Sequence, residues 1–187
     1  FRLGEIEAAI GREQLKKGSA LVQRRKQNIA YLERRLQGLS GLTMPHIGAA
    51  GDHVYYVHVL DYDAAMTGVP RERLVQALKA ELPVTKLREG EGPLMGMGYV
   101  KPLYLLPMFQ QRIAFGASGY PFKSPLYKGE VDYRRGLCPN AEAAHVERVI
   151  THEMMRPGMT EADLDDVASA FHKVWNALPA LRETGHA

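Results

Sequence analysis

The sequence predicts an α/β, more narrowly α+β, domain in which one long N-terminal helix leads to a small sheet with helices packed on one face. Three stretches carry that expectation. Residues 3–39 repeat apolar side chains every seven positions, at Ala8, Leu15, Val22, Ile29 and Leu36. Residues 53–61, HVYYVHVLD, are β-branched and aromatic with no Gly or Pro. Thr160 and Asp163 stand ahead of Leu164, Val167, Phe171, Trp175 and Leu178, which recur at helical spacing.

Taken in order, the first helix has Leu32 and Leu39 beside its stripe and weak spots at Gly11 and Gly18, and Gly38, Ser40, Gly41 and Pro45 stop it. Its other side is basic, with Arg12, Lys16, Lys17, Arg24, Arg25, Lys26, Arg34 and Arg35 against Glu13 and Glu33. Residues 53–61 read as a strand. Gly68 and Pro70 open a helix with Leu74, Val75, Leu78 and Leu82 on its apolar face, Pro70 in the first turn where its missing N–H has no partner to lose. Residues 83–87 read as a second strand, and Gly90, Gly92, Gly96 and Gly98 with Pro93 make 88–98 a mobile loop. Pro102 and Pro107 keep 99–109 out of a central strand, and 115–136 has no period. Asn140 is the expected N-cap of a short helix carrying Val146, Val149 and Ile150, which leads into a third strand at 151–155. The final amphipathic helix ends at Pro179, with 180–187 as a tail.

Composition narrows the class. The 187 residues are 45% hydrophobic, and 24 Lys plus Arg against 21 Asp plus Glu leave a net charge of +3, which excludes a disordered or low-complexity chain. Charge is uneven, with 4 basic and 8 acidic residues in 140–187 against 20 and 13 in 1–139. The single cysteine, Cys138, makes no intrachain disulfide, so a cytoplasmic location is expected. No window reaches the roughly 18 to 20 apolar residues of a bilayer crossing. The chain opens at Phe1 directly into a helical pattern, so a longer parent polypeptide is expected.

Several motifs come close and fail. His152-Glu153 begins H-E-x-x-H, but Arg156 stands where the second ligand belongs, so no metal site is expected. The glycines at 90, 92, 96 and 98 fit neither G-x-G-x-x-G nor a P-loop. His53 and His58, five apart in a strand, point to opposite faces and share no metal. Cys138 near Arg134 and Arg135 has no arguable histidine partner as a nucleophile. The basic helix face invites phosphates, yet a solvated face or an intersubunit contact explains it more simply, and nucleic acid is not the expected partner.

Four segments in order resemble the DegT/StrS family of PLP-dependent aminotransferases, which aminate keto-sugars and cyclitols. The residues from Phe1 to Ile10, FRLGEIEAAI, are similar to the family's N-[YF]-R-[LM]-[TS]-E-[IL]-Q-A-A, followed by Gln14-Leu15. Tyr99 to Tyr104 with Pro107 resembles Y-x-P-L-H-x-x-P, and Cys138 to Glu142, CPNAE, resembles [FC]-P-x-A-E. Pro157, Met159, Thr160, Asp163 and Val167 resemble the closing P-x-[LM]-T-x-x-D-x-x-x-V. Departures are Gly4 for Ser or Thr, Glu7 for Gln, and Tyr104 where many members have His.

The resemblance implies the C-terminal domain of a fold-type I enzyme. Residues 1–40 become the helix linking to an upstream PLP-binding domain, and 41–179 the small domain. The Schiff-base lysine, the pyridinium-facing Asp and the phosphate-contacting Ser lie upstream of Phe1, so no catalytic residue is expected here and the chain alone would be inactive. Arg2, Tyr99, Lys101 and Tyr104 are expected at the substrate and cofactor edge. The implied partners are a sugar or cyclitol substrate, an amino-acid donor (glutamate or glutamine), and a second subunit of a homodimer. The rival reading is a basic, non-catalytic binding module.

Overall fold

A helix of 32 residues, α1 (Glu5–Leu36), opens the chain in a computed structural model that describes residues 2–83 and 94–183. Then come β1 (Leu42–Thr43), β2 (His58–Tyr62), α2 (Ala64–Thr67), α3 (Arg71–Glu81) and β3 (Met95–Met97). A 3-10 turn at Leu103–Leu105, α4 (Pro107–Gln111), α5 (Pro139–Ala143) running into a π-type turn (Ala144–Arg148), β4 (Val149–His152), α6 (Glu161–Asn176) and α7 (Leu178–Glu183) complete it. The strands form one antiparallel sheet in the order β1-β2-β4-β3.

Burial alternates along β2, so His58, Leu60 and Tyr62 share the covered face. Leu32 and Leu36 of α1, Leu74, Val75 and Leu78 of α3, and Val167, Phe171 and Trp175 of α6 meet Leu60, Tyr62 and Ile150 in one apolar cluster. That is the expected small sheet under helices. Polar atoms inside it are paired: the Trp175 indole donates to the Ser40 carbonyl at 2.9 Å, and the Tyr62 hydroxyl donates to the Val69 carbonyl at 2.7 Å. Thr160 and Asp163 form the expected capping box at the start of α6.

Several boundaries moved, each for a local reason. The strand expected from residue 53 begins only at His58, because Tyr55 takes a left-handed φ of 53° while its N–H bonds His53 Nδ1 at 2.8 Å. Within the expected loop, Met95–Met97 pairs with β4 as an edge strand, where Gly and Met need satisfy only one neighbour. The expected strand at 83–87 lies, beyond Pro83, outside the described residues, as do Gly90 and Gly92. Cys138, not Asn140, is the N-cap of α5, and Pro139 takes the first turn. Pro70 caps α3 from outside rather than sitting inside it. Pro179 opens α7 instead of ending α6, so the start of the expected tail is helical, with Leu181 packed against the core and Arg182 Nε donating to the Thr67 carbonyl at 2.5 Å.

The basic face of α1 is partly spent on ion pairs, Lys16 with Glu13, Lys26 with Asp52 and Arg35 with Asp165. No helix among the described residues is long and apolar enough to cross a membrane, and no group of three or more His, Cys, Asp or Glu among them could hold a metal ion.

Candidate functional site

Gly98 fixes where the first expected site residue stands. Its φ is +64°, its N–H donates to the Val149 carbonyl at 2.7 Å, and its carbonyl accepts from Thr151 Oγ1 at 3.1 Å. A Cβ here would come within 2.7 Å of the His145 carbonyl oxygen, so both the conformation and the space call for glycine. Pinned to β4 in this way, the chain delivers Tyr99 beside Tyr56, the two residues 57% and 71% exposed. The Tyr56 hydroxyl holds the Tyr99 phenol above its ordinary pKa, with partial desolvation and the Glu153 charge adding to it.

Tyr56 also lines a cleft of about 310 Å³ with Arg25 of α1 and with Glu153, Met155, Arg156 and Pro157 of the segment after β4. Arg156 Nη2 donates to Glu153 Oε2 at 3.0 Å. The Asn28 amide ties α1 to that same segment, donating to the Arg156 carbonyl at 2.8 Å and the Met155 carbonyl at 3.4 Å.

Tyr104 has a different setting. It stands in the 3-10 turn with its hydroxyl donating to Glu142 Oε1 and accepting from the Cys138 N–H at 3.3 Å, and Glu142 Oε1 also accepts from the Gly136 N–H at 2.6 Å. The Tyr104 hydrogen bond, ahead of the Gly136 N–H and the Arg135 charge, holds the Glu142 carboxyl below its usual range. Tyr104 therefore struts the turn against the start of α5. Arg2 and Lys101 are exposed and make no hydrogen bond or ion pair with described residues. Among the described residues none of the four bonds to another.

One buried cluster was not expected from the sequence. Antiparallel pairing sets His58 opposite His152, so the two rings share the covered face, and the Nδ1 of His58 lies 2.8 Å from Nε2 of His152. The Met154 N–H donates to His152 Nδ1 at 3.2 Å, which leaves the His152 proton on Nε2 to donate to His58 Nδ1. His58 then carries its own proton on Nε2 and donates to Glu33 Oε1 at 3.0 Å. Burial, with His53 adding to it, pushes His58 down to about 4, and burial pushes His152 well below the usual range, so both rings stay neutral. The alternation in 58–62 places His58 inward from sequence, but its partner is a matter of strand register, which a separation of 94 positions conceals.

A larger cleft, about 860 Å³, lies between 38–43 and 61–66 and is lined by none of the four expected site residues. Its wall carries the Arg148–Asp61 ion pair.

Residues 1–118 match the DegT/DnrJ/EryC1/StrS aminotransferase family. The chain belongs to this family. Among curated relatives, the spore coat polysaccharide biosynthesis protein SpsC of Bacillus subtilis is 23% identical over 170 residues, covering 91% of this chain and 36% of SpsC. Among solved structures, DesV of S. venezuelae superposes with a TM-score of 0.65 at 20% identity, over 92% of this chain and 37% of DesV. A sugar aminotransferase described as putative, Spr1654 of Streptococcus pneumoniae in its PMP form, gives 0.62 at 18% identity over 97% and 38%. The fold is thus that of one portion of aminotransferase chains, and this chain spans little more than a third of the length of SpsC.

Pyridoxal phosphate needs a lysine to take up its aldehyde and a carboxylate facing its ring nitrogen. Among the described residues, Lys16, Lys26 and Lys173 are held in ion pairs, and no lysine lines the clefts described above. Neither cleft therefore offers the lysine that the cofactor needs.

Proposed function

We propose that this chain is the C-terminal part of a PLP-dependent enzyme that passes an amino group from an amino acid, glutamate or glutamine, to a keto-sugar or keto-cyclitol. The pathway class would be sugar, polysaccharide or secondary-metabolite biosynthesis, in keeping with the name of SpsC. The observation that carries this reading is the family match over residues 1–118, supported by similarity to aminotransferase structures over more than nine-tenths of the chain. In this reading residues 1–40 link to the cofactor-binding part, 41–179 form the small domain, and 180–187 form its end. The lysine and the ring-facing carboxylate belong to the remainder of the enzyme.

The part assigned to this chain is positioning. Arg2 and Lys101 are exposed with no partner among the described residues, Tyr99 is exposed beside Tyr56, and cations with phenol hydroxyls suit a polyhydroxylated, anionic substrate. Tyr104 would contribute by holding the 99–107 segment through Glu142. The active enzyme would be a cytoplasmic homodimer whose α1 meets other parts of the assembly.

The test compares a longer natural polypeptide containing this chain with the 187-residue chain itself, each given PLP, glutamate or glutamine, and a keto-sugar panel. The longer protein is expected to bind PLP and to release 2-oxo acid with every amino group transferred. The shorter chain should do neither. Stoichiometric PLP binding and turnover by the 187-residue chain, or a longer protein with no affinity for PLP, would overturn the proposal.

A further inference from the structure

Arg71, the first residue of α3, is only 6% exposed although it carries a charge. Its planar fork is committed mainly to the backbone of the turn ahead of β4. Nη1 donates to the His145 carbonyl at 2.9 Å and to the Val149 carbonyl at 3.1 Å. Nη2 donates to the Val146 carbonyl at 2.5 Å and to Glu72 Oε1 at 2.8 Å. The turn needs such donors, because Ala144–Arg148 is π-type and passes directly into β4, with no further helical turn to take up its last carbonyls. A lysine would bring a single ammonium on a flexible stem, which does not reproduce the fork.

The same backbone oxygens seat Gly98. The Val149 carbonyl accepts from the Gly98 N–H at 2.7 Å as well as from Arg71, and the His145 carbonyl oxygen is the atom that a Cβ at position 98 would approach to 2.7 Å. Arg71 thus holds two carbonyls against which Gly98 is fitted, and Tyr99 follows in the next position, beside Tyr56. Tyr104 is held separately, by Glu142 and the Cys138 N–H.

We infer that Arg71 is a positioning residue for the substrate edge: it fixes the His145 and Val149 carbonyls, these fix Gly98, and Gly98 fixes where the Tyr99 hydroxyl stands. Arg71 acts through the backbone alone and touches no substrate. Its bearing on function deepens the proposed amino transfer and rests on the place given there to Tyr99, whereas its hold on Tyr99 is measurable without any turnover.

The test follows the Tyr99 phenol by carbon-13 NMR of tyrosine labelled at Cζ, in the longest natural polypeptide containing this chain, with Y99F assigning the signal. In the native protein Tyr99 should titrate above the ordinary phenol range, raised first by the Tyr56 hydroxyl and then by desolvation and the Glu153 charge. R71K keeps the charge and loses the fork. It should return Tyr99 to the ordinary range, while Tyr104, raised by partial desolvation and by Glu142, stays where it was. R73K gives up the Arg73 bond to the Leu181 carbonyl, elsewhere on α3, and should move neither phenol. If thermal melts show R71K unfolded, G98A carries the test, since it leaves Arg71 in place and should lower Tyr99 in the same way. The inference is overturned if Tyr99 titrates in R71K or, where that variant is unfolded, in G98A as it does in the native protein, if Tyr99 and Tyr104 shift together, or if R73K matches R71K. In transfer assays R71K should raise KM for the keto substrate several-fold with kcat little changed. An unchanged KM with Tyr99 displaced would overturn the place of Tyr99 at the substrate edge and leave its dependence on Arg71 standing, whereas a native Tyr99 titration in folded R71K overturns the dependence alone.

Discussion

Asn28 is 2% exposed on α1, and its amide donates to two successive carbonyls, those of Met155 and Arg156. Truncating it leaves both carbonyls buried without that donor, so N28A should destabilise the chain by about 1–3 kcal/mol. Urea unfolding followed by circular dichroism measures it, and an unchanged midpoint would show that water replaces the amide. Because Met155 and Arg156 also line the cleft beside Arg25, the same variant should loosen that wall. Individual residues were unevenly legible. Leu164, Val167, Phe171 and Trp175 were readable as core because helical spacing alone puts them on one face, and all four are buried. Arg25 was readable only as one of the basic residues on that helix, and Asn28 was not singled out, since nothing local marks a polar side chain whose partner lies 127 residues away.

Helix α1 divides in two. Ile29, Leu32 and Leu36 are exposed to 1% or less, whereas Ile6, Ile10 and Leu15 leave 58% or more of their surface exposed. Propensity alone sustains short helices poorly in water, and Gly11 and Gly18 weaken this one further. In the isolated 187-residue chain, amide hydrogens of residues 5–20 should exchange at least about tenfold faster than those of 28–36. Hydrogen-exchange mass spectrometry checks this, and equal protection would mean that the first turns are held by something other than the core. In the proposed larger enzyme the difference should shrink as the apolar stripe is covered. At this scale the sequence was legible where a signal is local. The capping box of α6, the α3 stripe and the stop after α1 need only neighbours within a turn or two. The two-residue β1 and the Met-Gly-Met of β3 carry no period of their own and exist because β2 and β4 offer an edge. Proline was misread at 179 for a related reason: a residue unable to continue one helix is well suited to begin the next.

For the molecule as a whole, the chain from Met154 through His152 and His58 to Glu33 ties β4, β2 and α1 together with both histidines neutral. Its pH dependence follows from the direction of the shifts. In the unfolded chain a histidine takes up a proton near 6.5, but in the fold His58 resists until about 4 and His152 resists further. Stability is therefore fully present above about 6.5 and falls as pH drops from there towards 4. Glu33, whose carboxyl burial raises, gains its proton earlier than in the unfolded chain and offsets part of the loss. The unfolding midpoint in urea should decline over that interval in the native chain and flatten in H58Q, and a pH-independent midpoint would contradict the relay. By itself the sequence determined the helices with strong periods, the absence of metal-motif spacing and the family, because these live in short-range patterns. Only the tertiary structure decided which strands pair, that His58 meets His152, that Tyr104 spends its hydroxyl on Glu142, and that Arg25 is left beside Tyr56 without a partner among the described residues. Those contacts join residues far apart in the chain, and register and packing, which depend on the whole core at once, choose among them.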